Sequence, residues 1–271
     1  MITVLSPAKT LDFESPVPTD RSTVPALLDH ASEVMESLKQ LGPSELGKLM
    51  KISDSLSTLN AQRNKRWKKS RHTPHTPHTP HTQEEARQSL FAFSGDVYNG
   101  LDASTLNTEA ITFAQDHLRI LSGLYGYLRP LDLIMPHRLE MGTRLTTEHG
   151  STLYDYWGTT ITDTVSRELA DAKNPILLNL ASQEYFKAIK SRRLTGNLGT
   201  RGYTVITPLF KDQRKNGPRV IGAYAKQQRG RMARFILENA VDTVEPLKAY
   251  NADGYAYAPD LSTPTEWVFL R

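Results

Sequence analysis

The sequence contains no cysteine among its 271 residues, and this absence excludes several kinds of site. Without a thiol the chain can form no disulfide framework, no cysteine nucleophile and no thiolate-held zinc or iron–sulfur cluster. It also lacks any stretch approaching the roughly 18 unbroken apolar residues of a membrane-spanning helix. The opening MITVLSPAKT shows no basic segment followed by an apolar one, as a secretory signal requires. We therefore expect a cytoplasmic protein with no membrane partner.

The signature motifs of the large catalytic families are absent as well. The chain has no GxxxxGK[ST] phosphate loop, no GxGxxG dinucleotide fingerprint, no HExxH zinc motif and no GxSxG nucleophile elbow. Its candidate acidic groups, Asp12, Asp96, Asp132 and Glu140, cannot be paired into an acid–base dyad from the sequence alone. We assign no cofactor, metal ligand or catalytic residue from motifs.

Positive charge, by contrast, is concentrated in two segments. The formal net charge is only +4, but residues 63–71 contain six Lys or Arg and no acidic residue. Residues 187–234 contain thirteen Lys or Arg against Asp212 alone, so the rest of the chain is acidic. This distribution predicts a surface that faces a polyanion. Scattered lysines that only keep the fold soluble are the alternative, because the sequence does not show whether the two segments meet.

Hydrophobic patterns predict an α+β fold with a mixed β-sheet and surrounding helices, as a single domain over residues 1–271. The β-branched ITVL predicts a buried strand that ends at SPAKT, which places Lys9 just after a strand end. The apolar PILLNLAS at 175–182 predicts a central strand. Apolar spacing over 24–51 and 226–241 predicts amphipathic helices.

A polar segment that follows the predicted central strand has two interpretations. Asn179, Ser182 and Glu184 follow the central strand, where they can line a pocket or serve only loop hydrogen bonding and helix capping.

Further along, VITPLF and RVIGAYA flank the turn signal KDQRKNGP, which predicts a β-hairpin.

The most specific local prediction concerns LSGLYGYLRP at residues 121–130. A helical pattern from Thr108 is broken at Gly123, and Pro130 suits the first turn of a second helix, so residues 108–135 are predicted to form a helix-hairpin-helix. Glycine N–H groups at such a turn can approach a phosphate without reading base identity. The candidate contacts are the turn and its flanking arginines: Arg119, Gly123, Leu124, Tyr125, Gly126 and Arg129. The alternative is a helical corner whose glycines only permit tight packing.

A Pro-rich repeat, HTPHTPHTPHT, occupies residues 72–82. Its composition is incompatible with a stable helix and predicts an extended or disordered loop. Four histidines on one edge of such a repeat can bind a transition metal. We interpret it instead as a solvated insertion and assign it no function.

Lys9 supports an alternative, catalytic interpretation. A lysine after a strand end, near Asp132, would resemble the Lys and Asp pair of the helix-hairpin-helix base-excision glycosylases. Lysine acts as a nucleophile only when burial or neighbouring charge lowers its pKa. The simpler interpretation is a positive group on a cleft wall.

Several segments, taken together and in order, resemble one known family. They are SPAKTLD, LSGLYGYLRPLDL, PHRLEMGTRL, LYDYWG, NLASQEYFK and YAKQQRGRMARFILEN, and they resemble the bacterial YaaA family of peroxide stress resistance proteins nearly end to end. The resemblance implies a cytoplasmic protein that limits oxidative damage to DNA and protein during hydrogen peroxide stress by keeping unincorporated iron low. It also implies an α+β fold with a helix-hairpin-helix, a positively charged cleft and binding to duplex DNA. It carries no assigned enzymatic activity.

Cations in the matching segments become candidate cleft residues for DNA: Lys9, Lys187, Lys226, Arg229 and Arg234. The chain departs from the helix-hairpin-helix pattern in one respect, since its glycines are three residues apart where two is usual. The leading hypothesis is a monomeric, non-sequence-specific DNA-binding protein of the peroxide stress response. The alternative is an enzyme that acts on a nucleic acid or a phosphorylated small molecule in a basic cleft.

Overall fold

The computed structural model describes residues 1–69, 86–195 and 202–271, except for the side chains of residues 192 and 195. Its helices in these ranges are α1 (Leu28–Lys39), α2 (Pro43–Met50), α3 (Asp54–Arg66), α4 (Ser89–Ala92), α5 (Asp96–Leu101), α6 (Thr108–His117), α7 (Leu153–Trp157), α8 (Thr160–Asp171), α9 (Gln183–Phe186), α10 (Ser191–Thr195) and α11 (Gly222–Glu238). Its strands are β1 (Ile2–Leu5), β2 (Thr10–Leu11), β3 (Arg87–Gln88), β4 (Phe93–Ser94), β5 (Leu118–Ser122), β6 (Gly126–Leu128), β7 (Leu133–Ile134), β8 (Ile176–Asn179), β9 (Thr204–Lys211), β10 (Ala256–Tyr257) and β11 (Glu266–Leu270).

The centre of the fold is a seven-stranded sheet in the order β10-β11-β9-β8-β1-β5-β6. The five inner strands pair in parallel, and the outer strands β10 and β6 pair antiparallel to their neighbours. Parallel strands are covered on both faces, which explains why ITVL and ILLN are continuous apolar runs rather than alternating ones. The predicted mixed sheet with surrounding helices is therefore confirmed.

Helices cover the sheet and extend the core beyond it. α6 packs on β1 and β5, and α11 packs on α6, α5 and β9. α10 contacts β9 and α8. The region predicted as helical over 24–51 forms two helices, α1 and α2, and α2 begins at Pro43 after the N-cap Gly42. α1 buries the apolar stripe Ala31, Val34, Met35 and Leu38.

The segment predicted as a helix-hairpin-helix is instead a β-hairpin, and this prediction was wrong. α6 ends at His117, and β5 then runs parallel to β1 before turning into β6. The run LRILS joins the sheet as the strand before its β6 end, where it pairs in parallel with β1 and antiparallel with β6. Tertiary pairing of this kind overrides local helical periodicity.

The glycines of this hairpin lie in the core rather than at the surface. A Cβ on Gly123 would lie 2.4 Å from the carbonyl oxygen of Leu139. Gly126 has φ +67°, and a Cβ there would lie 2.7 Å from the ring of Trp157. The glycines thus permit tight packing, as the alternative interpretation held, although in a β-hairpin and not in a helical corner.

Three further predictions concern other parts of the chain. The hairpin predicted around KDQRKNGP does not form, because β9 pairs only with parallel neighbours and RVIGAYA leads into α11 after a single bridge between Asp212 and Arg219. The repeat at 72–82 lies outside the described residues. Among the described residues, no helix combines the length and the apolar character needed to cross a membrane.

Candidate functional site

The parallel strands bring several loops to one side of the sheet, which we call the carboxyl edge. It comprises the loops that follow β1 (6–9), β8 (180–190) and β9 (212–219). The chain moves from β1 to β5 in one direction and from β8 to β9 in the other, so the ends of β1 and β8 form a topological switch point. Open α/β sheets bind ligands in the crevice at such a point. The carboxyl edge is therefore the first place to look for function.

Lys9 lies at this edge, as the sequence predicted. Its Nζ is 3.0 Å from Oε2 of Glu140, and Nη2 of Arg138 lies 3.2 Å from Oε1 of the same carboxylate. The Lys9 side chain is 64% exposed, whereas Arg138 is mostly buried and its Nε has no hydrogen-bond partner in the described part of the chain. One carboxylate thus holds two cations side by side at the mouth of the crevice.

The structure does not assemble the pair of Lys9 and Asp132. Asp132 is fully buried, where it accepts hydrogen bonds from the Thr23 hydroxyl at 2.6 Å and the Arg129 backbone N–H at 2.8 Å. Burial raises the pKa of Asp132 in spite of these donors. Lys9 is exposed and ion-paired to Glu140, so the burial that a nucleophilic lysine needs is missing.

The floor of the crevice is a pair of serine hydroxyls between the two strand ends. The backbone N–H of Ser182 donates to Oγ of Ser6 at 2.8 Å, and the Ser6 hydroxyl donates to Oγ of Ser182 at 3.2 Å. Asn179 accepts a hydrogen bond from the Ala181 N–H at 3.0 Å and donates to Thr207 at 3.3 Å. Asn179 therefore orders the loop, while Ser182 contributes to the crevice.

Tyrosines and a second carboxylate form one wall of the crevice. The Tyr98 hydroxyl donates to the carbonyl oxygen of Ser6 at 3.0 Å. Tyr185 is buried near Glu140 and Glu184, and burial together with these carboxylates raises its phenol pKa. Glu184 accepts the Gly142 N–H at 2.8 Å, so this carboxylate ties the 142 loop to the crevice.

Cations that form no close ion pair lie on the loops of the carboxyl edge and at the start of α11. Lys187 lies over the ring of Tyr154, with its Nζ 4.8 Å from the ring centroid. In the described ranges none of six exposed cations forms an ion pair within 4.0 Å: Lys187, Lys190, Arg214, Lys215, Arg219 and Lys226. All six belong to loops of the carboxyl edge or to the first turns of α11. Arg229, one turn further along α11, is half-buried, and burial lowers its pKa.

The first basic segment lies beside the loop that follows β2. Arg63 and Arg66, at the end of α3, line a cavity of about 640 Å³ together with Asp12 and Ser94. Asp12 follows β2, which comes directly after Lys9. The first basic segment therefore lines a cavity that begins two residues after Lys9, at Leu11.

The other predicted site residues lie elsewhere. Arg119 is 5% exposed and pairs through Nε with Glu168 at 2.9 Å. Arg129 pairs with the buried Asp132 at 3.2 Å. Arg234 donates to the Leu101 carbonyl at 3.1 Å and pairs with Asp102 and Glu238. These three arginines hold the fold together and are not free for a ligand.

The hairpin turn is also inaccessible. Leu124 and Tyr125 are 0% and 1% exposed, and the Tyr125 hydroxyl accepts a hydrogen bond from Nε1 of Trp67 at 2.9 Å. A phosphate cannot reach Gly123 or Gly126 without displacing the residues packed over them. The hairpin therefore contributes to the core and not to a binding surface.

Sequence reasoning missed Arg138, Ser6 and Tyr98 as members of the site. Ser6 and Arg138 stand in two of the segments quoted above, SPAKTLD and PHRLEMGTRL, so their position was the available signal. No three His, Asp or Glu side chains lie in an arrangement suited to a metal ion, as far as the described residues extend.

The fold and this edge define a class: an α/β protein with a parallel sheet centre and a polar, cation-rich switch-point site. The family model for the peroxide stress protein YaaA matches residues 1–261, and the chain belongs to that family. The protein therefore has a role in the peroxide stress response.

Full-length relatives agree with this assignment. The chain is 47% identical over 271 residues to a UPF0246 protein of Shewanella amazonensis (strain ATCC BAA-1098 / SB2B), covering 100% of this chain and 99% of the relative. It is 46% identical to a UPF0246 protein of Hahella chejuensis (strain KCTC 2396), covering 100% and 99%. A UPF0246 protein of Cellvibrio japonicus (strain Ueda107) is 45% identical, covering 100% and 98%.

Proposed function

We propose that the protein binds duplex DNA through its phosphate backbone at the carboxyl edge, as part of its role in the peroxide stress response. The observation that carries the proposal is the collection of unpaired cations on the loops after β8 and β9 and at the start of α11. Contacts from lysine and arginine to phosphates carry no base identity. The proposed binding is therefore not sequence-specific.

The opposite side of the sheet supports this assignment by contrast. We call it the amino edge: the described segments that lead into β5, β8 and β11. Charged side chains there are Asp116, Asp171, Lys173 and Glu266. The segment that leads into β9 adds Arg193, which is paired with Asp163. Six cations without an ion pair at the carboxyl edge thus compare with Lys173 alone in these described segments, and such a difference favours the approach of a polyanion to the carboxyl edge.

The hairpin residues are not among the proposed DNA contacts. Its glycines are buried, so the proposed contacts come from Lys187, Lys226 and the 212–219 loop. Lys9 adds a cation that is already shared with Glu140.

Salt dependence tests the proposal directly. Fluorescence anisotropy of a labelled duplex, titrated with protein at several salt concentrations, gives the log–log slope of affinity against salt. Each neutralised phosphate contributes about 0.9 to that slope, so we expect a slope of about −3 or steeper. A flat dependence, or no binding at low salt, would exclude the carboxyl edge as a DNA site. Replacing Lys173 by Gln at the amino edge serves as the matched control and should leave the slope unchanged.

We propose control of unincorporated iron as a second, separate output, on the basis of the family resemblance. Chelatable iron in peroxide-treated cells that lack the protein, compared with cells that carry it, measures this output. Equal iron levels in the two strains would remove it from the function.

A further inference from the structure

We propose that the floor of the switch-point crevice, between the ends of β1 and β8, binds the phosphate group of a phosphorylated small molecule. This site shares only Lys9 with the proposed DNA surface and does not depend on DNA binding. Its parts are the hydroxyls of Ser6 and Ser182, the cations Lys9 and Arg138, and the tyrosine wall at Tyr98.

The first argument is depth. Ser6 is 8% exposed and Tyr98 is 6% exposed, whereas Lys9 above them is 64% exposed. A duplex presents its phosphates on a broad convex surface, which can meet exposed cations at the rim. Buried hydroxyls beside an exposed cation suit a small ligand, since groups of such low exposure are out of reach of a broad duplex surface.

The second argument is the chemistry of the groups that converge there. Serine hydroxyls donate to phosphate oxygens, and an arginine fork matches phosphate geometry. Nε of Arg138 is buried without a hydrogen-bond partner in the described ranges, while Nη2 of the same guanidinium pairs with Glu140. Glu140 holds Arg138 and Lys9 in place, at 3.2 Å and 3.0 Å, before any ligand arrives.

The third argument is the connection of the floor to the wall. Ser182 donates its backbone N–H to Ser6, and Tyr98 donates to the Ser6 carbonyl, so one residue joins the two strand ends to α5. Glu184, two residues after Ser182, holds the Gly142 N–H and thereby the loop that follows Glu140. Tyr185 lies close enough to Tyr98, Glu140 and Glu184 to interact with them electrostatically, and it thereby links the serine pair to the carboxylate that holds Lys9 and Arg138.

Isothermal titration calorimetry with adenosine 5′-monophosphate, ribose 5-phosphate and unphosphorylated adenosine tests the site. We expect both phosphates to bind and adenosine to fail, since the phosphate is the recognised group. Binding of adenosine alone, or of none of the three, would overturn the proposal. Binding of adenosine 5′-monophosphate without ribose 5-phosphate would also overturn it, because the base would then be the recognised group.

Two variants locate the binding. Lys9→Met changes an exposed residue and is expected to fold, and Ser182→Val removes one floor hydroxyl; each should weaken phosphate binding at least tenfold. Lys173→Met at the amino edge is the matched control and should bind as the unsubstituted protein does. Unchanged affinity in Lys9→Met would refute the site even if Ser182→Val does not fold.

DNA binding separates the two sites. The combined variant Arg214→Gln, Lys215→Gln, Arg219→Gln should lose duplex affinity while it retains the affinity for ribose 5-phosphate. Loss of both activities in this variant would show that the small phosphate binds on the rim, against the proposal. A duplex that never binds, with ribose 5-phosphate still bound, would overturn the DNA proposal alone.

Discussion

Two segments of this protein contain both glycine and arginine, and one is buried in the core whereas the other is exposed. The hairpin formed by β5 and β6 lies in the core, with Tyr125 and its neighbours sealed under Trp67 and Trp157. The 212–219 loop lies at the carboxyl edge, and Arg214, Lys215 and Arg219 are exposed there. Similar composition therefore says little about exposure, which depends on what packs over the segment.

The comparison also predicts different sensitivities. A buried segment responds to added volume and to protons, because its groups are tightly packed and desolvated. An exposed cationic segment responds to salt, because counterions screen it. The experiments below test this contrast, from the largest expected effect to the smallest.

The largest effect is expected from Gly126→Ala in the hairpin. The substitution places a Cβ 2.7 Å from the Trp157 ring at a positive φ, so overpacking and backbone strain should together lower the free energy of unfolding by about 3 kcal/mol or more. Denaturant unfolding followed by far-UV circular dichroism measures this loss. Gly217→Ala is the matched control: its φ is +95°, but no atom lies within 4 Å of the new Cβ. Equal losses in the two variants would mean that Trp157 does not close over the hairpin.

A second effect concerns His137, which packs edge-on against Tyr125 under the hairpin, with ring centroids 5.2 Å apart. Burial, with a smaller contribution from the charge of Arg63, lowers the pKa of His137 from 6.5 to about 4. The folded state then binds fewer protons than the unfolded chain between these two values. Stability present at neutral pH is therefore lost as the pH falls through this window, by about 3 kcal/mol in total.

The measurement for His137 is the midpoint of urea unfolding at a series of pH values from 7 to 4. His137→Gln should flatten this profile above pH 4, although it also changes stability at pH 7. A profile that is just as steep in the variant would assign the acid sensitivity to another group.

At the exposed edge, the combined Arg214→Gln, Lys215→Gln, Arg219→Gln variant should weaken duplex binding about 100-fold and reduce the salt slope by about 2.7. Its unfolding free energy should hardly change, because these side chains form no ion pair in the described ranges. Anisotropy and denaturant unfolding of the same preparation check both statements. Arg119→Met supplies the opposite case, since it removes the buried partner of Glu168 and should reduce stability.

The smallest effect is expected at Asp12, in the loop after β2. Hydrogen bonds from Ser15 lower the pKa of Asp12 to about 2, against an ordinary value of 3.8. Because the pKa of Asp12 is lower in the folded protein than in the unfolded chain, the ionised carboxylate contributes to the free energy of unfolding. This contribution is present above pH 3.8 and is lost as the pH falls through about 2. Because the carboxylate is mostly solvated, we expect Asp12→Asn to cost less than about 1 kcal/mol at neutral pH. A larger loss in unfolding experiments would show that this loop is packed more like the hairpin than like the edge.

The sequence predicted the framework of the fold well where long apolar patterns were present. The strands at ITVL and ILLN form as predicted, and the helix predicted over 226–241 forms over 222–238, because continuous apolar runs and helical spacing reflect burial directly. The placement of Lys9 after a strand end follows from the same pattern. The family was likewise recognisable from six short segments that occur in the same order along the sequence.

The candidate site was only partly predictable. The sequence placed Ser182 and Glu184 after a central strand, but their approach to Ser6, Arg138 and Glu140 depends on β1 and β8 being parallel neighbours. Residues almost 180 positions apart meet there, as the hydrogen bond between Ser6 and Ser182 shows. No local pattern contains such information, since it arises from the pairing order of the whole sheet.

The sequence by itself determined the chemistry available to this protein: no thiol, two basic segments, and apolar runs long enough to form a covered sheet. Only the tertiary structure decided which basic and glycine-containing segments reach solvent. It buried LSGLYGYLRP because β1 pairs with β5 and Trp157 packs on the turn, and it left most of the 212–219 loop exposed after the end of β9. Parallel strands end together, and so the sheet gathered cations that lie far apart in the chain onto one edge.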